Sequence, residues 1–185
     1  MTRMIRQLPQ RLAASLALVA IAALAGCSEA TGERTDLELD GAQETTTSHV
    51  DAFIASIDPG VIDRIDDVTD DSFGCRGLDI DPDQLVRQWE NRRYVVFRAD
   101  VSPLEGLALL DDLVTEQVAD GWTLARDNAA DGDGGRRVQL VATNAGGGDD
   151  EVGFGLSVSG GGEVAGQTSL NISATSPCFE AVARR

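Results

Sequence analysis

Lysine is absent from this 185-residue chain, and histidine and tyrosine each occur once, as His49 and Tyr94. Each shortage closes a route. Without lysine there is no Walker-type phosphate loop and no S-x-x-K or K-T-G signature of penicillin-binding enzymes. No G-x-S-x-G nucleophile elbow is present either. Aromatic residues make up only 4% of the chain, too few for a sugar-stacking cleft. Cations are scarce as well: 15 arginines face 31 acids, a formal net charge of −16. Such a surface repels nucleic acid, whose binding rests on cationic contacts with phosphates. No apolar run reaches the roughly 20 residues that a membrane-spanning helix needs.

What is present starts at the N-terminus. Residues 1–11 carry Arg3, Arg6 and Arg11 and no acid, and an apolar segment from Leu12 to Ala25 follows, broken only by Ser15. A positive start and a short apolar core ending in small residues are the features of a secretory signal peptide, here residues 1–26. The small residues run straight into a cysteine as Leu24-Ala25-Gly26-Cys27. This resembles the lipobox of bacterial lipoproteins. The resemblance implies that the chain is cut before Cys27, that Cys27 carries acyl chains on its sulfur, and that the protein is anchored to the extracytoplasmic face of the cell membrane. Twelve arginines and all 31 acids lie after residue 26, so that part carries −19. Anionic headgroups would repel it, which leaves the lipid as the means of attachment.

With Cys27 set aside for lipid, Cys75 and Cys178 remain. Exported domains meet an oxidising environment, so a Cys75–Cys178 disulfide is the expected state. One histidine and no third thiol argue against a zinc site, and neither a metal nor any other cofactor is expected.

Residues 27–46 are polar and acidic and read as a flexible tether, which would reach on the order of 25 Å. A single domain is expected over residues 47–185. Val50, Phe53, Ile54 and Ile57 form one helical stripe, with Ser48 as candidate cap and Asp58-Pro59-Gly60 as the stop. Val61 to Thr69 suits either a short helix or a strand. Gln88 to Ala99, rich in bulky residues, predicts a strand. Ser102-Pro103-Leu104-Glu105 then combines an N-cap serine, a proline at the first helical position and a capping-box glutamate. The helix it starts would bury Leu107, Leu110, Leu113, Val114 and Val118 and close at Gly121.

Beyond Gly121 the period becomes two. Trp122–Arg126 predicts a strand, and Val138/Leu140/Ala142, Phe154/Leu156/Val158 and Leu170/Ile172/Ala174 each alternate. The stretches between them, 127–135, 144–151 and 159–166, are rich in Gly and Asp and read as connections. The expected fold is α+β: a two-layer sandwich of one antiparallel sheet of about five strands, with two or three helices on one face. The layout of lipobox, acidic tether, helix, aromatic strand, a helix ending in Gly121-Trp122, strands and a terminal Ser176-Pro177-Cys178 resembles small lipoproteins of actinobacterial type. That resemblance implies fold and location and carries no activity.

Candidate chemistry is sparse. His49, at the expected edge of tether and helix, reads as an exposed helix-start residue. The pairs Asp66-Asp67, Asp70-Asp71, Asp111-Asp112 and Asp149-Asp150 could each be drawn as an acid/base couple, but they read as solvated surface. Taking Asp131 as position 1 of a calcium loop puts Gly135 at position 5 and Ala142 at position 12, so the EF-hand pattern fails. Gly146–Gly148 and Gly160–Gly162 read as hairpin connections. Trp89 and Tyr94 fall on opposite faces of a regular strand, with core packing the simpler role for aromatics. The functional expectation is a lipid-anchored, non-enzymatic interaction or accessory module of the cell envelope. Its partner would be another envelope protein, met at a concave face between sheet and helices. The alternative is a carrier enclosing a lipid or small apolar ligand between those layers.

Overall fold

The computed structural model describes residues 33–34, 37–128, 135–142 and 153–181. The expected signal segment 1–26, the expected lipidation site Cys27, residues 129–134, Gly146–Gly148 and Asp149-Asp150 lie outside them. In chain order come β1 (Glu33–Arg34), α1 (Leu39–Ala55), a 3-10 turn (Pro59–Val61), β2 (Ile62–Gly74), β3 (Val86–Phe97), α2 (Pro103–Ala119), β4 (Trp122–Asn128), β5 (Arg136–Ala142), β6 (Gly155–Val164), β7 (Gln167–Thr175) and β8 (Cys178–Glu180).

The alternating segments become strands for the expected reason: every second side chain is apolar and turns to one face. Val138, Leu140, Leu156, Val158, Leu170, Ile172 and Ala174 all point into one core. The sheet runs β2-β3-β7-β6-β5-β4, antiparallel throughout, with β8 continuing beyond β7 along β3. β1 joins β8 in parallel. The described residues form eight strands where about five were expected, within the same α+β class. β2 is the main addition: an acidic edge strand along which no residue is fully buried. Its apolar residues are too few and too exposed for alternation to announce it. β1 and β8 are two and three residues long, too short to carry a periodic signal.

Two α-helices cover one face, α1 over β3 and β7, α2 chiefly over β6. α2 begins as expected. The Ser102 hydroxyl accepts from the Glu105 amide while the Glu105 carboxylate accepts from the Ser102 amide at 2.8 Å. It ends ahead of Gly121, whose φ of 103° suits glycine. Val118, expected on its buried stripe, is exposed. α1 departs further. It begins at Leu39 with Glu38 as its uncapped N-cap, so Ser48 lies mid-helix and the expected tether is helical from residue 39 onward. The signal for this early start is weak, because Ala42 and Thr46 are the only buried residues in its first half. The β6–β7 turn is also corrected. Two residues, Ala165 and Gly166, both at positive φ, make it, as a tight hairpin requires. Gly160–Gly162 instead lie inside β6 at a bulge. A Cβ at Gly160 would stand 3.0 Å from Leu170 Cδ2 and 3.2 Å from Leu110 Cδ2, so glycine is what lets α2 sit down on the sheet.

Candidate functional site

The layer between helices and sheet, where a concave site or ligand cavity was expected, is filled. Phe53, Phe97, Leu110, Leu140, Leu156, Leu170 and Ile172 are all fully buried there. His49 belongs to the same layer and not to an exposed helix start. It is 9% exposed, lying edge-on to Trp122 at 4.9 Å and to Phe154 at 5.5 Å. The physical reason is the early start of α1, which moves His49 from a helix end to an inward-facing turn.

Among the described residues no helix covers the opposite face of the sheet, and the strand register arranges its polar residues in rows. Asp66, Tyr94, Asn171, Ser159, Arg137 and Asn128 are cross-strand neighbours on β2, β3, β7, β6, β5 and β4. At strand spacing this row is about 24 Å long. Beside it run Thr69, Arg92, Ser173, Ser157, Gln139 and Arg126. A hollow of about 600 Å³ lies over Tyr94, Asn171, Ser159 and Arg137, with Gly160–Gly162 on its border. Tyr94 and Trp89 do fall on opposite faces: Tyr94 lines the hollow, and the Trp89 indole lies on the helix side, donating to Asp70 Oδ1 at 2.8 Å.

Most charges on the open face are matched within the protein. Arg92 pairs with Glu90, which also accepts from the Ser173 hydroxyl at 2.7 Å. Arg64 contacts Asp63 and Asp66, each at 3.2 Å. Arg126 donates to the Asn128 side chain at 3.0 Å. Arg137 is different: it is exposed, and its side chain makes no hydrogen bond or ion pair among the described residues. Next to its row partner Ser159, Asn171 holds its Oδ1 buried with no hydrogen-bond donor among the described residues. A buried acceptor without a donor is costly.

The described carboxylate pairs lie on two elements, Asp66-Asp67 and Asp70-Asp71 on β2 and Asp111-Asp112 on α2. Asp67 pairs with Arg93 at 3.1 Å, and Asp111 with Arg136. At Asp70 burial raises the carboxyl pKa, but hydrogen bonds from Trp89, Gln43 and Asn91 outweigh it and leave the value lowered. Among the described residues no group of three or more His, Cys, Asp or Glu side chains is placed to hold a metal ion. Cys75 and Cys178 are joined as a disulfide with their Cα atoms 5.9 Å apart. Asn171, Ser159 and Arg137 carried no motif. Their only trace in the sequence is the polar half of each alternating run, and the register that lines them up is a property of the assembled sheet. No protein family, curated protein or solved structure matches the chain.

Proposed function

We propose that this protein is a lipid-anchored, non-enzymatic interaction module of the cell envelope, attached through Cys27 and engaging an envelope protein through its open sheet face. The observation that carries the reading is the Tyr94–Asn171–Ser159–Arg137 row. It sets an aromatic ring beside a buried acceptor and an arginine that have no side-chain partner among the described residues, on a face that no described helix covers. A partner with a carboxylate opposite Arg137 supplies the acid it lacks, and an arginine–carboxylate pair adds directional specificity. The proposed contact face is thus the outer side of the sheet and not the sheet–helix interface.

The test is cross-linking in intact cells, affinity purification, and comparison of the parent with Arg137→Glu and Tyr94→Ala. The expected result is an envelope protein recovered with the parent and at least ten-fold depleted in both variants, with unchanged melting temperatures. Equal recovery with the variants would overturn the reading. Recovery of lipid or a small apolar molecule alone would overturn it in favour of a carrier.

A further inference from the structure

The loop between β2 and β3, residues 75–85, holds apolar side chains out in solvent. Leu78 and Ile80 are each 69% exposed and Leu85 56%, with Phe73 half exposed at its root. The loop is braced. The Asp81 carboxylate accepts from the amides of Leu85 at 3.0 Å and Val86 at 2.8 Å. Gln84 Nε2 donates to the carbonyls of Arg76 and Asp81, and the amide of Ile80 donates to the carbonyl of Gly77 at 2.9 Å. Braced residues of this kind cannot fold back to bury themselves, so their exposure is a standing feature of the surface.

The same end of the molecule receives the N-terminal chain. Glu33 in β1 lies beside Cys178 in β8, Cys178 is bonded to Cys75 at the root of the loop, and β8 pairs with Val86 at its other root. Only residues 28–32 separate Cys27 from Glu33, a span of about 20 Å even when fully extended. We infer that the loop bearing Leu78 and Ile80 is a second membrane contact, inserting into the bilayer surface beside the lipid anchor and fixing the orientation of the domain. This rests on the proposed anchor at Cys27. Asp79 and Asp83 at the loop surface disfavour anionic headgroups, so the surface contacted is zwitterionic. Docked this way, the domain stands close to the membrane.

The experiment places the full lipidated chain, as parent, Leu78→Trp and Leu104→Trp, in vesicles of ordinary and of brominated phosphatidylcholine. Leu104 is even more exposed, at 78%, but sits at the start of α2, at the opposite end of β7 from Cys178. After subtraction of the parent signal, the added emission of Leu78→Trp should fall at least two-fold on brominated lipid, and that of Leu104→Trp should not. Unquenched Leu78→Trp emission, or equal quenching at both positions, would overturn the inference. Detergent-phase partition of the parent and of Cys27→Ser reads the anchor separately. Partition that Cys27→Ser abolishes, combined with unquenched Leu78→Trp, removes the loop contact and leaves the anchor standing. A parent that fails to partition removes the anchor and the inference with it.

Discussion

Asp81 ties a residue-scale property to the shape of a whole loop. Hydrogen bonds from the amides of Val86 and Leu85 hold its carboxyl below the ordinary aspartate value. A lowered folded pKa means that the ionised form favours folding above the unfolded value near pH 4, and the contribution disappears as pH falls through the folded value. Asp81→Asn should therefore reduce the loss of stability on acidification. Urea midpoints of parent and variant at pH 7 and pH 3 would measure it, and parallel curves would contradict the assignment. Glu105 shares the logic, lowered by the amide and then the hydroxyl of Ser102. The two differ in legibility. The Ser102–Glu105 box is four residues long and announces itself, whereas the partners of Asp81 are ordinary amides that only the loop's path brings to it. His49 is the opposite lesson: a residue read as exposed is buried because its helix starts nine residues ahead of Ser48.

Elements divide along the same line. α2 was legible because cap, stripe and closing glycine are all local. Ser102→Ala should cost about 1 kcal/mol of stability. Leu110 is fully buried against the sheet, so Leu110→Ala should cost about 2–5 kcal/mol. Urea unfolding measures both, and a Leu110→Ala cost below that of the cap would mean that the helix is misplaced. α1 was half legible, because its second half carries the stripe of Val50 and Phe53 while its first half buries only Ala42 and Thr46. β5, β6 and β7 followed from alternation, with the turn between β6 and β7 displaced by the bulge at Gly160–Gly162. β2 was left open between helix and strand, and pairing with β3 along its length decided for strand.

On the scale of the whole molecule, the Cys75–Cys178 bond joins the root of the β2–β3 loop to the final strand across 103 residues of sequence. The chain-entropy model values such a closure at about 4–5 kcal/mol. Reduction should lower the urea-unfolding free energy by roughly that amount, and two reactive thiols in the untreated, denatured protein would show the bond to be absent. Sequence alone determined the α+β class, the main strands, the second helix and the partner of each of these cysteines, because periodicity, caps and thiol count are one-dimensional. It also marked the proposed anchor at Cys27, since a signal segment is read along the chain. Only the tertiary structure decided that the inner layer is filled, that Tyr94, Asn171, Ser159 and Arg137 share one row, and that the exposed loop emerges beside the N-terminal strand. Those facts depend on strand order and register, and cross-strand neighbours are set by hydrogen-bonded pairing between segments far apart in the chain.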